Sequence, residues 1–195
     1  IAFLREVDQL KHVMRQTVLV NLDRKENTAE HSWHIVLAVM TLAEYADEPI
    51  DLLHVVKMLL IHDIVEVDAG DTFAFDEVGY EDKFEREHQA AQRIFGILPD
   101  DQRDDLMALW HEFEAIETAD SKFANAIDRL LPFLHNIWTD GQGSWKEHAP
   151  KYEQVYERNA RGVGVISAEL WTYTQKLMNH AVEQGWLEKE NNESR

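Results

Sequence analysis

The segment that decides the fold is Leu59–Asp71, which reads LLIHDIVEVDAGD. An apolar helical stretch runs directly into a histidine and a series of acidic residues, namely His62, Asp63, Glu66, Asp68 and Asp71. Ionisable groups in a buried helix cost several kcal/mol (about 2–7 for a polar group) unless they are paired or bound to a metal. The segment therefore indicates either an acidic helix end on an acidic protein or a metal site.

The surrounding sequence has the periodicity of helices almost throughout. Asp51 is expected to cap the helix that contains this segment, and Gly70 to end it. Thr28 is expected to cap a helix that runs to about Ala46. Further helices are expected at residues 3–16, 81–98, 101–113, 118–139, 151–160 and 166–184, with a loop at 141–150 and one short alternating run at 18–22. The pattern predicts an all-α bundle of seven or eight helices.

We expect this bundle to form one domain over residues 1–195, with the metal-site core at about 4–138 and C-terminal helices at about 150–186. A chain of 195 residues is long enough to bury a substantial core. No apolar run approaches the roughly 20 residues that cross a bilayer. We therefore expect a protein that does not enter a membrane.

The composition restricts the classes of function. The formal net charge is −18, so the surface repels polymeric nucleic acid, and an anionic substrate would need a metal ion or specific arginines. The sequence has no cysteine, which excludes disulfides and thiolate chemistry and suits a cytoplasmic protein.

Two other segments favour the metal site. His31 lies one turn into the helix that begins near Thr28, in the sequence AEHSWH. Asp128 lies inside the apolar run ANAIDRLLPFL, where a bare carboxylate would be costly. Three helices thus each bring an ionisable group towards the core. Two imidazoles and two carboxylates suit one divalent cation such as Mn, Co, Ni, Fe, Mg or Zn.

The segments ENTAEHSWH, LLIHDIVEVDAGD and AIDRLLPFL together resemble the HD-domain superfamily of metal-dependent phosphohydrolases, and within it the 5′-deoxynucleotidase-like branch. The resemblance covers about residues 4–138. It implies an HD-domain helical bundle that hydrolyses nucleoside 5′-monophosphates to nucleoside and phosphate. It also implies a homodimer, which no feature of the sequence requires. The metal ligands that it implies are His31, His62, Asp63 and Asp128.

Two acidic residues near the ligands are expected to take part in catalysis. Glu66 lies one turn after His62 at a helix C-terminus, where the helix dipole opposes a negative charge unless a cation is near. The resemblance implies that Glu66 positions water or moves a proton, and that Asp71 supports sugar binding or catalysis. Asp68 has no matching role and is expected at the surface.

Arg15 and Arg24 are the candidate residues for binding the substrate phosphate, because the guanidinium fork suits phosphate oxygens. The resemblance implies an arginine after the first helix in the phosphate site, where Arg15 aligns. The sequence departs from the pattern beside it. Gln16 and Thr17 stand where bacterial relatives carry an aromatic residue that helps to reject ribose, so discrimination between deoxyribose and ribose is left open.

Three alternatives also remain open, and one of them is a helical interaction protein without a metal. The same ligands serve other HD phosphohydrolases, which cleave nucleoside triphosphates, cyclic nucleotides or guanosine tetraphosphate, and they would also serve a non-catalytic metal- or nucleotide-binding module. His34 follows His31 by one turn, and we expect it to be packed or hydrogen-bonded rather than a ligand.

Overall fold

Helices dominate the structure, a computed structural model that describes residues 1–75 and 77–189. Its α-helices and two strands, in chain order, are α1 Ala2–Val7, β1 Met14–Val18, β2 Lys25–Asn27, α2 Thr28–Leu42, α3 Leu52–Ile61, α4 Glu66–Ala69, α5 Glu77–Tyr80, α6 Lys83–Phe95, α7 Asp100–Ala115, α8 Ala119–Trp138, α9 Ser144–His148, α10 Tyr152–Arg161, α11 Val163–Ile166 and α12 Ala168–Glu183. Turns of 3-10 helix lie at Asp8–His12, Ala43–Tyr45 and His62–Val65. The all-α prediction is confirmed.

The core consists of two clusters of buried apolar side chains that meet at the 3-10 turn His62–Val65. In the first, α2, α3 and α8 pack together and the C-terminal helices cover α8; Leu59 and Ile127 are fully buried there. In the second, Ile64 and Val65 of the turn pack with α6 and α7 around the fully buried Trp110. The turn that carries His62 is therefore held from both sides.

The cap of α3 is confirmed, whereas the cap of α2 lies one residue earlier than predicted. The Asp51 carboxylate accepts hydrogen bonds from the backbone N–H groups of Leu53 and His54, at 3.0 and 3.2 Å. At α2 the Asn27 side chain accepts from the Glu30 N–H, and the Glu30 carboxylate accepts from the Asn27 N–H. This reciprocal capping box satisfies two N–H groups that the helix leaves unpaired.

The prediction of a first helix over residues 3–16 is wrong at its C-terminal end. Helical structure ends at His12, and β1 pairs antiparallel with β2 in a hairpin. The strand also lies earlier than the alternating run at 18–22. Local periodicity could not show this, because the ladder bonds of β1 come from residues about ten positions further along the chain. Arg15 therefore lies on a strand and not at the end of a helix.

The predicted helix through Leu59–Asp71 also differs in detail. It is α-helical only to Ile61, tightens to a 3-10 turn at His62–Val65 and resumes as α4. Gly70 ends it as predicted, with φ +73° and ψ +157°, a conformation that residues with a Cβ rarely adopt. The expected loop at 141–150 contains the short helix α9. Within residues 1–75 and 77–189, no helix combines the length and apolar character needed to cross a membrane.

Two neighbouring leucines of α3 test the core. Leu59 is fully buried and Leu60 is about half exposed. We expect Leu59→Ala to lower the free energy of unfolding by about 2–5 kcal/mol, because it leaves a cavity. The same substitution at Leu60 should change it by about 0.5 kcal/mol or less. Urea denaturation followed by circular dichroism measures both, and equal effects would contradict the assignment of Leu59 to the core.

Candidate functional site

Four side chains from three elements converge where the two apolar clusters meet. We call them the His–Asp cluster: His31 from α2, His62 and Asp63 from the 3-10 turn, and Asp128 from α8. His31 Nε2 lies 2.9 Å from Asp128 Oδ1 and 3.9 Å from Asp63 Oδ2. His62 Nε2 lies 3.0 Å from Asp63 Oδ1 and 3.7 Å from Asp128 Oδ1. The structure thus brings all four predicted ligands together.

The orientation of the His62 ring is fixed by its surroundings. Its ring nitrogen Nδ1 lies 2.9 Å from the Leu59 carbonyl oxygen, so Nδ1–H donates to it and Nε2 faces Asp63 and Asp128. Burial opposes a charge on the ring, but these two carboxylates outweigh it and raise the pKa of His62 well above its ordinary value. That Nε2 atom is buried and has no hydrogen-bond partner. A metal-binding histidine is oriented in this way, with one nitrogen donating to a fixed acceptor and the other facing the metal. The chemistry of the four side chains fits a divalent cation.

Arg15 closes one side of the His–Asp cluster. Its Nη1 donates to Asp63 Oδ2 at 2.9 Å, and lies 3.7 Å from Asp71 Oδ1 and 3.9 Å from Glu66 Oε1. The guanidinium is only 12% exposed. The Nη1 atom of one buried cation thus faces three carboxyl groups, and its Nε lies 3.9 Å from a fourth, that of Glu26. The hairpin places the guanidinium there.

Glu66 and Asp71 both line this side of the site. Burial and the charge of Asp63 raise the pKa of Glu66 well above its ordinary value, although Arg15 and a 2.8 Å hydrogen bond donated by Thr28 oppose the rise. Burial likewise raises the pKa of Asp71. A carboxyl with a raised pKa can hold a proton near neutral pH and give it up to a substrate.

The carboxylates of the His–Asp cluster, in contrast, have lowered pKa values. Burial alone would raise the pKa of Asp63, but His62 and Arg15 outweigh it and lower that pKa to about 2. Burial is also outweighed at Asp128, where the hydrogen bond with His31 and the charge of His62 hold the pKa well below its ordinary value. Both therefore stay ionised, as metal ligands must be.

A cleft opens beside Arg15 and Asp128. Its cavity volume is about 90 Å³. Its polar wall includes Gln16 and Arg158, and its apolar wall includes Trp145. The cleft lies next to the His–Asp cluster and is lined by both polar and apolar side chains.

Arg24 and Asp68 lie elsewhere. Arg24 is half exposed, and its guanidinium donates both Nη1 and Nη2 to Glu30 at the start of α2, at 2.8 and 2.6 Å. Within residues 1–75 and 77–189, its hydrogen bonds go to Glu30 and the Lys25 carbonyl oxygen and not to the His–Asp cluster. Asp68 accepts hydrogen bonds from Arg93 at the surface.

Two buried residues of the motif ENTAEHSWH have contacts in the site that were not predicted from the sequence. Thr28, expected only as a helix cap, donates to Glu66. Glu26 is 2% exposed, and its Oε2 lies 3.6 Å from His31 Nδ1, on the side of the ring away from Asp128. The only signal for either residue was its position within the motif.

Comparisons with known proteins agree with this arrangement. The sequence matches the HD domain family over residues 7–171. The 5′-deoxynucleotidase HDDC2 of Homo sapiens is 33% identical over 133 residues, 68% of this chain and 64% of that protein; the protein of the same name from Bos taurus is 35% identical, over 68% and 63%. The match therefore spans less than two thirds of either relative. The resemblance noted from the motifs is confirmed.

A solved structure is similar over nearly the whole chain. It is described as a predicted metal-dependent phosphohydrolase from Magnetospirillum magnetotacticum, and it is 49% identical with a TM-score of 0.87. The alignment covers 96% of this chain and 95% of that one.

The buried carboxyl of Glu66 gives a test of the site's electrostatics in protein kept in chelator. Above its ordinary pKa of 4.5 the unfolded state loses its proton while the folded state keeps it, so stability falls as pH rises towards the raised pKa. Glu66→Gln should remove this loss of stability. The free energy of unfolding of the variant should therefore rise relative to that of wild type by up to about 1.4 kcal/mol per pH unit.

The measurement is urea denaturation from pH 4.5 upwards, with Glu183→Gln at an exposed position of α12 as the matched control. A constant difference in stability between wild type and Glu66→Gln across this range would show that the pKa of Glu66 is not raised.

Proposed function

The chain belongs to the HD domain family, and from that membership we propose that it is a metal-dependent phosphohydrolase. Its proposed substrates are nucleoside or deoxynucleoside 5′-monophosphates, which it hydrolyses to nucleoside and phosphate. One observation carries the proposal: a buried imidazole nitrogen of His62 faces two ionised carboxylates beside a buried arginine. Such a site combines a place for a cation with a place for a phosphate.

The names of the similar proteins support the class of substrate. Both mammalian relatives are 5′-deoxynucleotidases, and the similar bacterial structure is described as a phosphohydrolase. The net charge of −18 leaves an anionic substrate dependent on local positive charge, which Arg15 supplies.

The residues proposed to hold the divalent cation are His31, His62, Asp63 and Asp128. When bound, a divalent cation stabilises negative charge on phosphate oxygens and makes a water molecule easier to deprotonate. The imidazoles favour Mn, Co, Ni, Fe or Zn, and the carboxylates also accept Mg.

Arg15 is proposed to turn towards the phosphate. In the structure its guanidinium is bound to Asp63, whose charge a cation would share. Two of its N–H groups could then donate to non-bridging phosphate oxygens, whose charge grows as the phosphorus–oxygen bond breaks.

Glu66 is proposed to move the proton. Its carboxyl can donate a proton to the 5′-oxygen that leaves with the nucleoside, and regain one from the water that adds to phosphorus. Asp71 lies on the cleft beside Arg15 and is proposed to accept a hydrogen bond from the sugar.

Two further points concern the domain organisation and the oligomeric state. We propose that the chain works as a single domain, since α10 and α11 pack against α8, which carries Asp128. A homodimer stays a prediction, supported by an exposed apolar stripe on α2 formed by Trp33, Leu37 and Met40.

A nucleotide-panel assay tests the function. With Mn, Co, Ni or Mg supplied separately, we expect inorganic phosphate from 5′-monophosphates. His62→Ala and Asp63→Ala should each reduce metal-stimulated phosphate release to background, because each removes a proposed ligand. Release of pyrophosphate or triphosphate would instead indicate another HD phosphohydrolase class.

Two control residues, one on α3 and one on α4, lie close in sequence to His62 and Asp63. His54→Ala changes a histidine that pairs with Glu112, and Asp68→Ala changes an aspartate held by Arg93. Both should retain wild-type rates. Wild-type activity in His62→Ala would contradict the proposal, as would the absence of activity with every nucleotide and metal.

Substitutions of the two arginines proposed from the sequence should affect kcat/KM differently. Arg15→Lys keeps the charge but loses the guanidinium fork, and we expect kcat/KM to fall by roughly 10²-fold. Arg24→Lys should change it less than about twofold, because Glu30 already occupies Arg24. Steady-state kinetics measure both. A larger loss for Arg24→Lys would reverse the assignment.

A further inference from the structure

A second group of possible metal ligands lies next to His31, on the side of its ring that carries Nδ1. Its members are Glu26 at β2, His34 on α2 and His135 on α8, which we call the Glu26 cluster. One ligand atom from each lies within 4.8 Å of the others. It shares no residue with the His–Asp cluster.

His135 is oriented as a metal-binding histidine would be. It is 4% exposed, and its Nδ1 lies 3.2 Å from the Val18 carbonyl oxygen of β1. A carbonyl only accepts, so Nδ1 carries the proton and Nε2 is left with a lone pair. That Nε2 atom is buried without a hydrogen-bond partner. Leaving such an acceptor unsatisfied is costly, and a cation would satisfy it.

His34 faces this atom from the neighbouring helix. Its ring centroid lies 5.4 Å from that of His135, and the two planes are tilted by 60°. His34 is half-buried, and its ring lies at the edge of a surface depression with Glu26 and His135. Leu19, Val20 and Trp33 form much of the rest of its wall. Solvent therefore reaches the cluster and could complete a coordination shell.

Glu26 supplies the negative charge. It is 2% exposed, and burial of a carboxylate is costly unless positive charge compensates it. His31 Nδ1 lies 3.6 Å and Arg15 Nε lies 3.9 Å from Glu26 Oε2. Both contacts are longer than a good hydrogen bond, so a cation would find this carboxylate weakly engaged.

We propose that Glu26, His34 and His135 form a second divalent-cation site, which takes an imidazole-preferring ion such as Zn²⁺ or Co²⁺. Two imidazoles, one carboxylate and an open side for water form the donor set of many zinc sites. Mg²⁺ prefers oxygen ligands and should bind this site poorly. The proposal is independent of the phosphohydrolase activity.

Metal counting on untagged, chelator-stripped protein tests the site. After equilibrium dialysis against Zn²⁺, wild type should retain two ions per chain by mass spectrometry of the metal. His34→Gln and His135→Gln should each retain one. Asp63→Asn should lose the other ion and keep this one, and Asp63→Asn with His34→Gln should retain none. His180→Gln, at an exposed histidine of α12, should retain both.

The Co²⁺ absorption spectrum gives a second readout. The visible bands that persist in Asp63→Asn should vanish when His34→Gln is added. Because His135 is buried, circular dichroism and thermal unfolding should accompany its variant, and the half-buried His34 gives the decisive result if the His135 variant does not fold. Two ions in His34→Gln, or none in Asp63→Asn, would overturn the proposal. A lack of phosphohydrolase activity would leave these counts unchanged, so the two proposals fail separately.

Discussion

The structure depends on how it tolerates several ionised side chains inside an apolar core. Asp63 and Asp128 are charged and largely buried, and Glu66 and Asp71 lie beside them with raised pKa values. A buried carboxylate without a partner would be prohibitively costly. Arg15 and the two histidines supply the compensation that the protein itself provides. A divalent cation would compensate the remaining negative charge. The buried carboxylates that are costly for folding are therefore also the groups that suit metal binding.

The local architecture follows from that constraint. The α-helix ends at Ile61 and tightens into a 3-10 turn, so His62 and Asp63 both point towards α8 while Ile64 and Val65 remain in the second apolar cluster. Gly70 then reverses the chain and returns Asp71 to Arg15. The hairpin is equally specific, because β1 presents Arg15 to the carboxylates and also offers the Val18 carbonyl to His135. Strand and turn together position both clusters of potential ligands.

Sequence reasoning located most of this site because the relevant signals are local. Ionisable residues within apolar helical runs are visible in short windows of the sequence, and they drew attention to His31, His62, Asp63 and Asp128, which the resemblance to the HD-domain superfamily then implied as metal ligands. Sequence reasoning failed where the cause is distant. The periodicity of residues 3–16 resembled a helix, although pairing with β2 makes its last part a strand. Arg24 was a second candidate beside Arg15, yet hydrogen bonds to Glu30 engage it at the surface.

The sequence by itself determined the helical class, the chemical types of the His–Asp cluster and its fit to a divalent cation, because periodicity and the cost of burying charge are properties of short segments. The tertiary structure alone decided which arginine faces the carboxylates, which carboxyls are raised in pKa and that Glu26, His34 and His135 meet. These depend on contacts between residues far apart in the chain: 48 positions separate Arg15 from Asp63, and 117 separate Val18 from His135. Such contacts exist only after the helices have packed.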